Sequence, residues 1–216
     1  MVRNTVLAAV LGVFLCPLVM LAGKKQAVPA ASGDAATISA ILRNATVSRT
    51  AAQSTKADYG SEIAWSETVR TDGNGRVRLR MTGNSLVSIG TNSELVFLRR
   101  DAQRTALQLT YGQMRLQPSA TESFEIRTPQ AVITATGSDF AIDASQSGRI
   151  KVICLEGTVR ITSGDSDAVM ECDAGEVVTV KAGKAPYQAQ LADATTIGLW
   201  HNITDPEQQP QVQYFP

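Results

Sequence analysis

Residues 154–180 read CLEGTVRITSGDSDAVMECDAGEVVTV, and this stretch decides the fold. Gly157 and Gly175 are each followed by a segment in which apolar and polar side chains alternate. Alternation with a period of two is typical of a β-strand with one buried and one exposed face. A glycine just before such a segment indicates a turn, because glycine adopts backbone conformations that other residues avoid. The stretch therefore predicts strands that are each entered through a glycine turn.

The same phrase recurs earlier in the chain, at Gly75 and at Gly112. Short alternating segments separated by frequent turns are typical of a sandwich or a β-solenoid rather than of an α/β enzyme. We predict an all-β fold, either a short β-solenoid or a sandwich-like stack of glycine-turn-strand units, with its domain over residues 37–182. The central strands are predicted near residues 76–81, 85–89, 94–98, 105–110, 113–117, 123–127, 131–136, 139–143, 149–155, 158–162, 168–172 and 177–181.

Two cysteines share the spacing of the glycine phrase. Cys154 and Cys172 are 18 residues apart, as are Gly157 and Gly175, so each cysteine precedes its glycine by three residues. If successive units stack as neighbouring strands, equal positions lie about 4.8 Å apart. That spacing is within the usual Cα separation of a disulfide, about 4.4–6.8 Å. We predict a disulfide between Cys154 and Cys172, and two buried free thiols are the alternative.

The N-terminal segment indicates export. An apolar run occupies residues 5–22, with Arg3 before it and Lys24-Lys25 after it. A short basic start followed by an apolar stretch is typical of a secretion signal. We predict that residues 1–30 are a signal peptide or, if they are not removed, an N-terminal membrane anchor, because 18 apolar residues are near the minimum for spanning a bilayer. The predicted location is the periplasm or cell envelope, with anchoring in the inner membrane, facing the periplasm, as the alternative.

The strand pattern ends near Pro186, and residues 187–216 are predicted to form a C-terminal helix or extended tail. A short helix within residues 187–200 would pack its apolar side chains on the sheet edge and protect that edge from aggregation. The last residues are rich in proline and glutamine and predict an extended tail. The apolar residues of the predicted helix are Leu191, Ile197, Leu199 and Trp200.

Charge argues against a nucleic-acid partner. Arg3, Lys24 and Lys25 precede the first acidic residue, Asp34, so a chain that starts after residue 30 carries 17 basic and 20 acidic residues, a net charge of −3. Binding to a phosphate backbone relies on clustered basic residues. The arginines are instead spread over alternating strand positions.

Enzymatic signals are sparse. His201 is the only histidine, so the sequence predicts neither a histidine-based metal site nor a serine-histidine-aspartate triad. We predict a protein that is not an enzyme and needs no metal or organic cofactor. Trp65 is predicted to close the core rather than to stack on a sugar. Four carboxylates beside turns suggest a glycosidase pair or, as we favour, turn and capping roles; they are Glu67, Asp139, Glu156 and Glu176.

Taken in order, the strand phrases resemble the FecR domain, the envelope-exposed module named after the iron-citrate regulator. The resemblance covers roughly residues 37–182 and rests on the order and spacing of its pieces. It implies structural turn or motif roles for Gly75, Gly112, Pro129, Gly137, Gly157 and Gly175. The matching phrases are Ser66-Glu67-Thr68-Val69-Arg70-Thr71, Gly75-Arg76-Val77-Arg78-Leu79, Ser93-Glu94-Leu95-Val96-Phe97, Tyr111-Gly112-Gln113-Met114, Phe124-Glu125-Ile126-Arg127-Thr128-Pro129, Gly137-Ser138-Asp139-Phe140-Ala141-Ile142, Glu156-Gly157-Thr158-Val159 and Ala174-Gly175-Glu176.

The resemblance implies a protein-interaction or signal-relay role in the envelope, with a protein partner whose identity the sequence does not give. For regulators of this family, the resemblance implies a chain of three parts: a cytoplasmic domain that binds a sigma factor, a membrane span and this module on the outside. Only four residues precede the apolar run here. We therefore expect that this chain does not act as an anti-sigma factor alone. A structural or assembly component of the envelope is the alternative function, and a carbohydrate-binding β protein is the third.

Overall fold

The computed structural model describes residues 33–50, 53–101, 104–164, 166 and 168–193. Within these ranges the chain forms seventeen β-strands and no helix, which confirms the prediction of an all-β fold. In chain order the strands are β1 (Asp34–Leu42), β2 (Ala45–Thr50), β3 (Gln53–Lys56), β4 (Glu62–Ala64), β5 (Thr68–Thr71), β6 (Arg76–Met81), β7 (Leu86–Ile89), β8 (Glu94–Arg100), β9 (Thr105–Gln117), β10 (Ser123–Arg127), β11 (Ala131–Thr136), β12 (Asp139–Ser145), β13 (Arg149–Glu156), β14 (Thr158–Ser163), β15 (Val169–Asp173), β16 (Glu176–Lys181) and β17 (Gln190–Leu191).

The strands form two sheets that are joined through β9. Sheet A has the order β4-β1-β6-β7-β9-β12-β13-β16-β17. Sheet B has the order β3-β2-β5-β8-β9-β10-β11-β14-β15. All these pairs are antiparallel except β9 with β10, which is parallel. Because the long strand β9 pairs in both sheets, hydrogen bonding is continuous through all seventeen strands.

One apolar core lies between the two sheets. The buried positions alternate along each strand, as in β11, where Ala131, Ile133 and Ala135 are buried and the residues between them are partly exposed. Inner residues of both sheets belong to the same core cluster, so the sheets pack face to face. Trp65 is buried in this cluster, which confirms its predicted place in the core. The arrangement corresponds to the sandwich-like alternative of the sequence prediction.

The motif glycines lie where the chain passes from one sheet to the other. Gly75 follows β5 of sheet B and precedes β6 of sheet A, and Gly137, Gly157 and Gly175 occupy the equivalent links β11–β12, β13–β14 and β15–β16. The repeated phrase therefore marks sheet crossings, not hairpin turns within a sheet. Pro129 differs, because it lies in the hairpin between β10 and β11.

Gly112 departs from the prediction most clearly. The sequence indicated a turn between strands at 105–110 and 113–117, but β9 runs without interruption from Thr105 to Gln117. Its first half pairs with β8 and β10 of sheet B, and its second half pairs with β7 and β12 of sheet A. The backbone at Gly112 has a φ of 94°, a conformation that favours glycine. A bend of this kind transfers the strand between sheets without ending its hydrogen bonding.

The two ends of the described chain lie in sheet A. Of the C-terminal part that was predicted as a helix or extended tail, residues 187–193 are described, and they contain the short strand β17 and no helix. Residues 194–216 and the predicted export segment, 1–30, lie outside the described residues. Across the described ranges, no helix has the length and apolar character needed to cross a membrane.

Candidate binding cleft

An open polar cleft of about 620 Å³ lies beside the bend of β9. Both sheets contribute to it, because its walls come from the end of β5, the link between β7 and β8, the middle of β9 and the hairpin of β12 and β13. The lining consists of Thr71, Thr91, Asn92, Tyr111, Gly112, Gln113, Asp143, Ala144, Ser145, Gln146 and Arg149. Its amide, hydroxyl and charged groups offer many hydrogen-bond donors and acceptors.

Buried hydroxyl groups hold the floor of the cleft. Thr71 Oγ1 donates to the carbonyl of Gly90 at 2.6 Å and accepts from the amide of Ser93 at 3.0 Å. Ser93 Oγ in turn accepts from the amide of Gln113 at 2.8 Å and donates to the carbonyl of Thr91 at 2.9 Å. These bonds tie β5, the β7–β8 link and β9 together at the bend. Because Thr71 and Ser93 are buried, loss of one partner would leave an unsatisfied polar group.

The charged side of the cleft is formed by the β12–β13 hairpin. Asp143 on β12 is half-buried, and Lys151 on β13 is its partner across the ladder. Burial raises the pKa of Asp143, while the positive charges of Arg149 and Lys151 act in the opposite direction. Arg149 and Lys151 are themselves exposed. This side of the cleft therefore presents one cationic group, that of Arg149, beside the partly shielded carboxyl group of Asp143.

The side chains that line the cleft are mainly amides and hydroxyls, together with Asp143, Tyr111 and Arg149. None of the described residues that line the cleft is a histidine, a lysine or a cysteine. A search of the described ranges finds no group of three or more histidine, cysteine or acidic side chains arranged to hold a metal ion. His201, the one histidine of the chain, lies outside these ranges.

The four carboxylates singled out from the sequence do not form a pair in the cleft. Glu67 accepts a hydrogen bond from the amide of Ala64 at 2.8 Å, and Glu176 accepts one from the amide of Asp173 at 2.8 Å, which confirms their turn roles. Asp139 binds Arg115 through two hydrogen bonds of 2.9 and 2.6 Å. Glu156 ends β13 and is exposed.

The stacking argument for the cysteine pair is wrong in its geometry. Cys154 lies on β13 of sheet A and Cys172 on β15 of sheet B, so the two belong to facing sheets rather than to neighbouring strands of one sheet. Both thiols are free and buried in the common core. They nevertheless lie near each other, because the amide of Gly175 donates to the carbonyl of Cys154 at 2.9 Å and Cys172 Sγ lies 3.8 Å from the carbonyl oxygen of Val152. The disulfide stays a prediction.

The sequence analysis missed the two charged residues that line the cleft. Asp143 and Arg149 are polar positions in strands that were predicted correctly, but alternation only indicates that such residues face outward. Their convergence depends on the pairing of β12 with β9 and β13, which brings Asp143 beside Gln113 and Lys151. The sequence signal for the cleft was a set of polar residues at outward positions on β12 and β13, the two strands of one predicted hairpin.

The fold is an all-β module of two facing sheets, with a polar cleft at their junction. Residues 67–160 match the family model described as FecR protein, which confirms for this segment the resemblance found in the sequence. Every residue that lines the cleft lies within the matched segment.

Known structures support the same fold. Two crystal structures of a proposed anti-sigma factor from Parabacteroides distasonis ATCC 8503, at 1.65 and 2.50 Å resolution, are similar with a TM-score of 0.54 and 16% sequence identity. The similarity covers 62% of this chain and 64% and 63% of those chains, less than two thirds of their length. No curated protein sequence matches the chain.

Proposed function

We propose that this protein is a non-enzymatic interaction module of the cell envelope that relays a signal by binding another protein through the cleft at the bend of β9. The observation that carries the proposal is that the cleft is built wholly from the segment that matches the FecR family model. The fold shared with the proposed anti-sigma factor agrees with a regulatory role.

The chemistry of the cleft favours a protein partner over a small apolar ligand. Pockets for small organic ligands are mostly apolar and enclosed, whereas this cleft is open and lined by amides, hydroxyls, Asp143 and Arg149. Such groups match the polar backbone and side chains of a peptide segment. A net charge of −3 after removal of residues 1–30 argues against a nucleic-acid partner.

Site-specific photo-crosslinking in cells tests the proposal. A photoreactive amino acid at Gln146, which is exposed on the rim of the cleft, is expected to capture one specific protein. The same group at Asp58, exposed and outside the matched segment, is the control. Arg149→Glu should abolish the crosslink, and Arg160→Glu, an exposed arginine on the outer face of sheet B, should preserve it.

The alternatives give different results in the same experiment. Crosslinks only between copies of this chain would favour the structural or assembly role. Binding of soluble glycans to the purified protein, lost in Arg149→Glu, would favour the carbohydrate-binding role. A crosslink at Asp58 that equals the one at Gln146 would overturn the assignment of the cleft.

The envelope location is part of the proposal and has its own test. Export is supported by the basic and apolar start of the chain. Fractionation of cells that produce the full chain should place it in the periplasm or on the periplasmic side of the inner membrane. The mass of the recovered protein then tells whether residues 1–30 are removed, and recovery in the cytoplasm would contradict the proposal.

A further inference from the structure

A second pocket, of about 300 Å³, lies on the outer face of sheet A next to the cleft. Its walls come from strands β13 and β16 and from the stretch that follows β16. Arg149 lines both this pocket and the cleft, so the two sites adjoin at that residue. We call it the basic pocket; its charged, aromatic and amide residues are Arg149, Lys151, Lys181, Tyr187, Gln188 and Gln190.

Three cationic side chains meet in the basic pocket. Arg149 and Lys181 are direct partners across β13 and β16, and Lys151 follows two residues after Arg149. The residues next to them, Ile150 and Val180, belong to the core, so the three cations lie on the outer face, where all are exposed. Like charges directly opposite each other destabilise an antiparallel pair. This arrangement therefore does not serve the stability of the sheet.

One carboxyl group of the same face lies beside the cations. Asp143 on β12 is the partner of Lys151, and burial raises the pKa of its carboxyl group although Arg149 and Lys151 act in the opposite direction. Even when ionised, this single carboxylate leaves an excess of two positive charges over the three cations of the pocket. Among the described residues, none of these cations forms an ion pair with a carboxylate.

The other described acidic residues near these strands lie away from the pocket. Asp139, which begins β12, is held by Arg115 through two hydrogen bonds. Three more lie toward the opposite end of β13, β16 and β17; they are Glu156, Glu176 and Asp193. The two lysines of the pocket are each five residues from the glutamate of their own strand, about 17 Å at the rise of an extended chain. The positive charge of the pocket therefore remains available to a ligand.

Tyr187 supports one of the cations. Its amide donates to the carbonyl of Thr179 at 2.9 Å, which holds the stretch after β16 beside that strand. The ammonium group of Lys181 lies 5.2 Å from the centre of the Tyr187 ring, a cation–π contact. Because one face of the ring already carries a lysine, the ring offers less surface for stacking on a sugar. The pocket is therefore better suited to an acidic peptide than to an acidic glycan.

We propose that the basic pocket binds an acidic peptide segment. Carboxylates of the segment pair with Arg149, Lys151 and Lys181, and its backbone hydrogen-bonds to the side-chain amides of Gln188 and Gln190. Since Arg149 also lines the cleft, the segment belongs to the protein that binds there. This last step rests on the proposed function, whereas the charge complementarity of the pocket does not.

Fluorescence anisotropy tests the pocket directly. The probe is a fluorescent oligoglutamate peptide, titrated with the purified full chain at low ionic strength. We expect saturable binding that weakens as salt is added, because salt screens exposed charges. A peptide in which glutamines replace the glutamates should not bind, since it offers no charge to the pocket.

Matched variants locate the binding site. The double variant Lys151→Gln, Lys181→Gln should raise the Kd of the oligoglutamate peptide about three- to thirtyfold, as expected for the loss of two exposed ion pairs. Lys56→Gln, Arg160→Gln removes the same number of charges from exposed positions in sheet B and should leave the Kd unchanged. Because the first variant also relieves repulsion between like charges, thermal denaturation should show that it is no less stable than the unaltered chain.

Two results of the titration would overturn the proposal. Equal affinity for the glutamate and glutamine peptides would show that charge does not direct binding, and equal affinity of the two double variants would show that the peptide binds elsewhere. Tighter binding of an acidic glycan, oligogalacturonate, than of the acidic peptide would overturn the assignment to a peptide.

A photoreactive amino acid at Gln188 tests whether the acidic segment belongs to the partner in the cleft. In cells it is expected to capture the same protein as the probe at Gln146, and Lys151→Gln, Lys181→Gln should remove the crosslink at Gln188. Capture from Gln146 but not from Gln188 would overturn the inference and leave the proposed function intact. Absence of capture from Gln146 would contradict the proposed function, and the peptide titration would still decide whether the pocket binds an acidic segment.

Discussion

At the bend of β9, replacement of Gly112 is expected to cost more stability than replacement of Gly175, a motif glycine with a similar backbone conformation. A Cβ atom at this position would lie 2.2 Å from Ser93 Oγ and 2.4 Å from Ser93 Cα. The backbone φ of 94° adds strain for any residue with a side chain. Gly112→Ala therefore combines a conformational penalty with a clash against backbone.

The magnitude follows from these two contributions. A non-glycine residue in the left-handed region costs about 1–2 kcal/mol. Overpacking a filled site costs about 1–3 kcal/mol more, since Ser93 cannot move without loosening its hydrogen bonds to Thr71 and Gln113. We expect a loss of about 2–5 kcal/mol in the free energy of unfolding, against a typical total of about 5–15 kcal/mol.

Gly175 provides the matched control. Its φ is 84°, close to that of Gly112, but a Cβ atom there would have no neighbour within 4 Å. Gly175→Ala should therefore cost only the conformational part, about 1–2 kcal/mol. Urea denaturation followed by circular dichroism and by tryptophan fluorescence gives both free energies. Equal losses in the two variants would refute the argument from contact with Ser93. Ser93→Ala should not rescue Gly112→Ala, because the contact with Ser93 Cα remains.

Three further predictions concern charge and the thiols. Arg115→Met should lower the free energy of unfolding by about 3–5 kcal/mol, because it removes the cation that pairs with Asp139 in a site where the two side chains are 10% and 16% exposed. Arg160→Met breaks a pair whose side chains are 60% and 59% exposed and should cost under about 1 kcal/mol. Equal costs in urea denaturation would contradict this account. Burial raises the pKa of Cys154 from 9.0 to about 12 and that of Cys172 from 9.0 to about 11. Above pH 9 the folded protein therefore keeps thiol protons that the unfolded chain releases, and the free energy of unfolding of the reduced protein should fall as the pH rises. The fall should be steeper than in a variant with both Cys154→Val and Cys172→Val. Thiol titration of unfolded, unreduced protein from the periplasm that lacks residues 1–30, and therefore Cys16, should detect no free thiol if the predicted disulfide forms. That disulfide would add about 3 kcal/mol for a loop of this length. Two reactive thiols per mature chain would show that the cysteines only fill the core.

Alternation was a reliable guide to the inner faces of the sheets. Ile133 and Ile161 lie opposite each other on β11 and β14, and both are buried where the period of two placed an apolar position. Such patterns report burial of one face, which is a local property of the strand. They do not report which strands become neighbours, because pairing depends on contacts between residues far apart in sequence. The cleft required that second kind of information.

Strand β13 contains a sequence signal that alternation alone does not explain. The stretch Val152-Ile153-Cys154-Leu155 contains four apolar residues in succession, which breaks the alternation of a strand that has one wet face. A continuous apolar run indicates a strand that is buried on both faces. Applied to β13, this rule predicts that something covers its outer face.

The 18-residue interval shows why a repeat in sequence does not fix a repeat in space. Gly157 and Gly175 have nearly equal φ values, 82° and 84°, and each precedes a strand that starts in the same phase. One crossing leads from sheet A to sheet B, and the next leads back. Cys154 and Cys172, each three residues before its glycine, therefore lie on opposite sides of one core. A stack of parallel rungs would give the same spacing in sequence but would place the two cysteines on neighbouring strands of one sheet. The choice between the two arrangements depends on how many strands separate consecutive crossings. Here β14 and β15 form a hairpin between Gly157 and Gly175, so the chain reverses direction within sheet B before it returns to sheet A. The two cysteines therefore face each other from the two sheets and do not lie on neighbouring strands of one sheet.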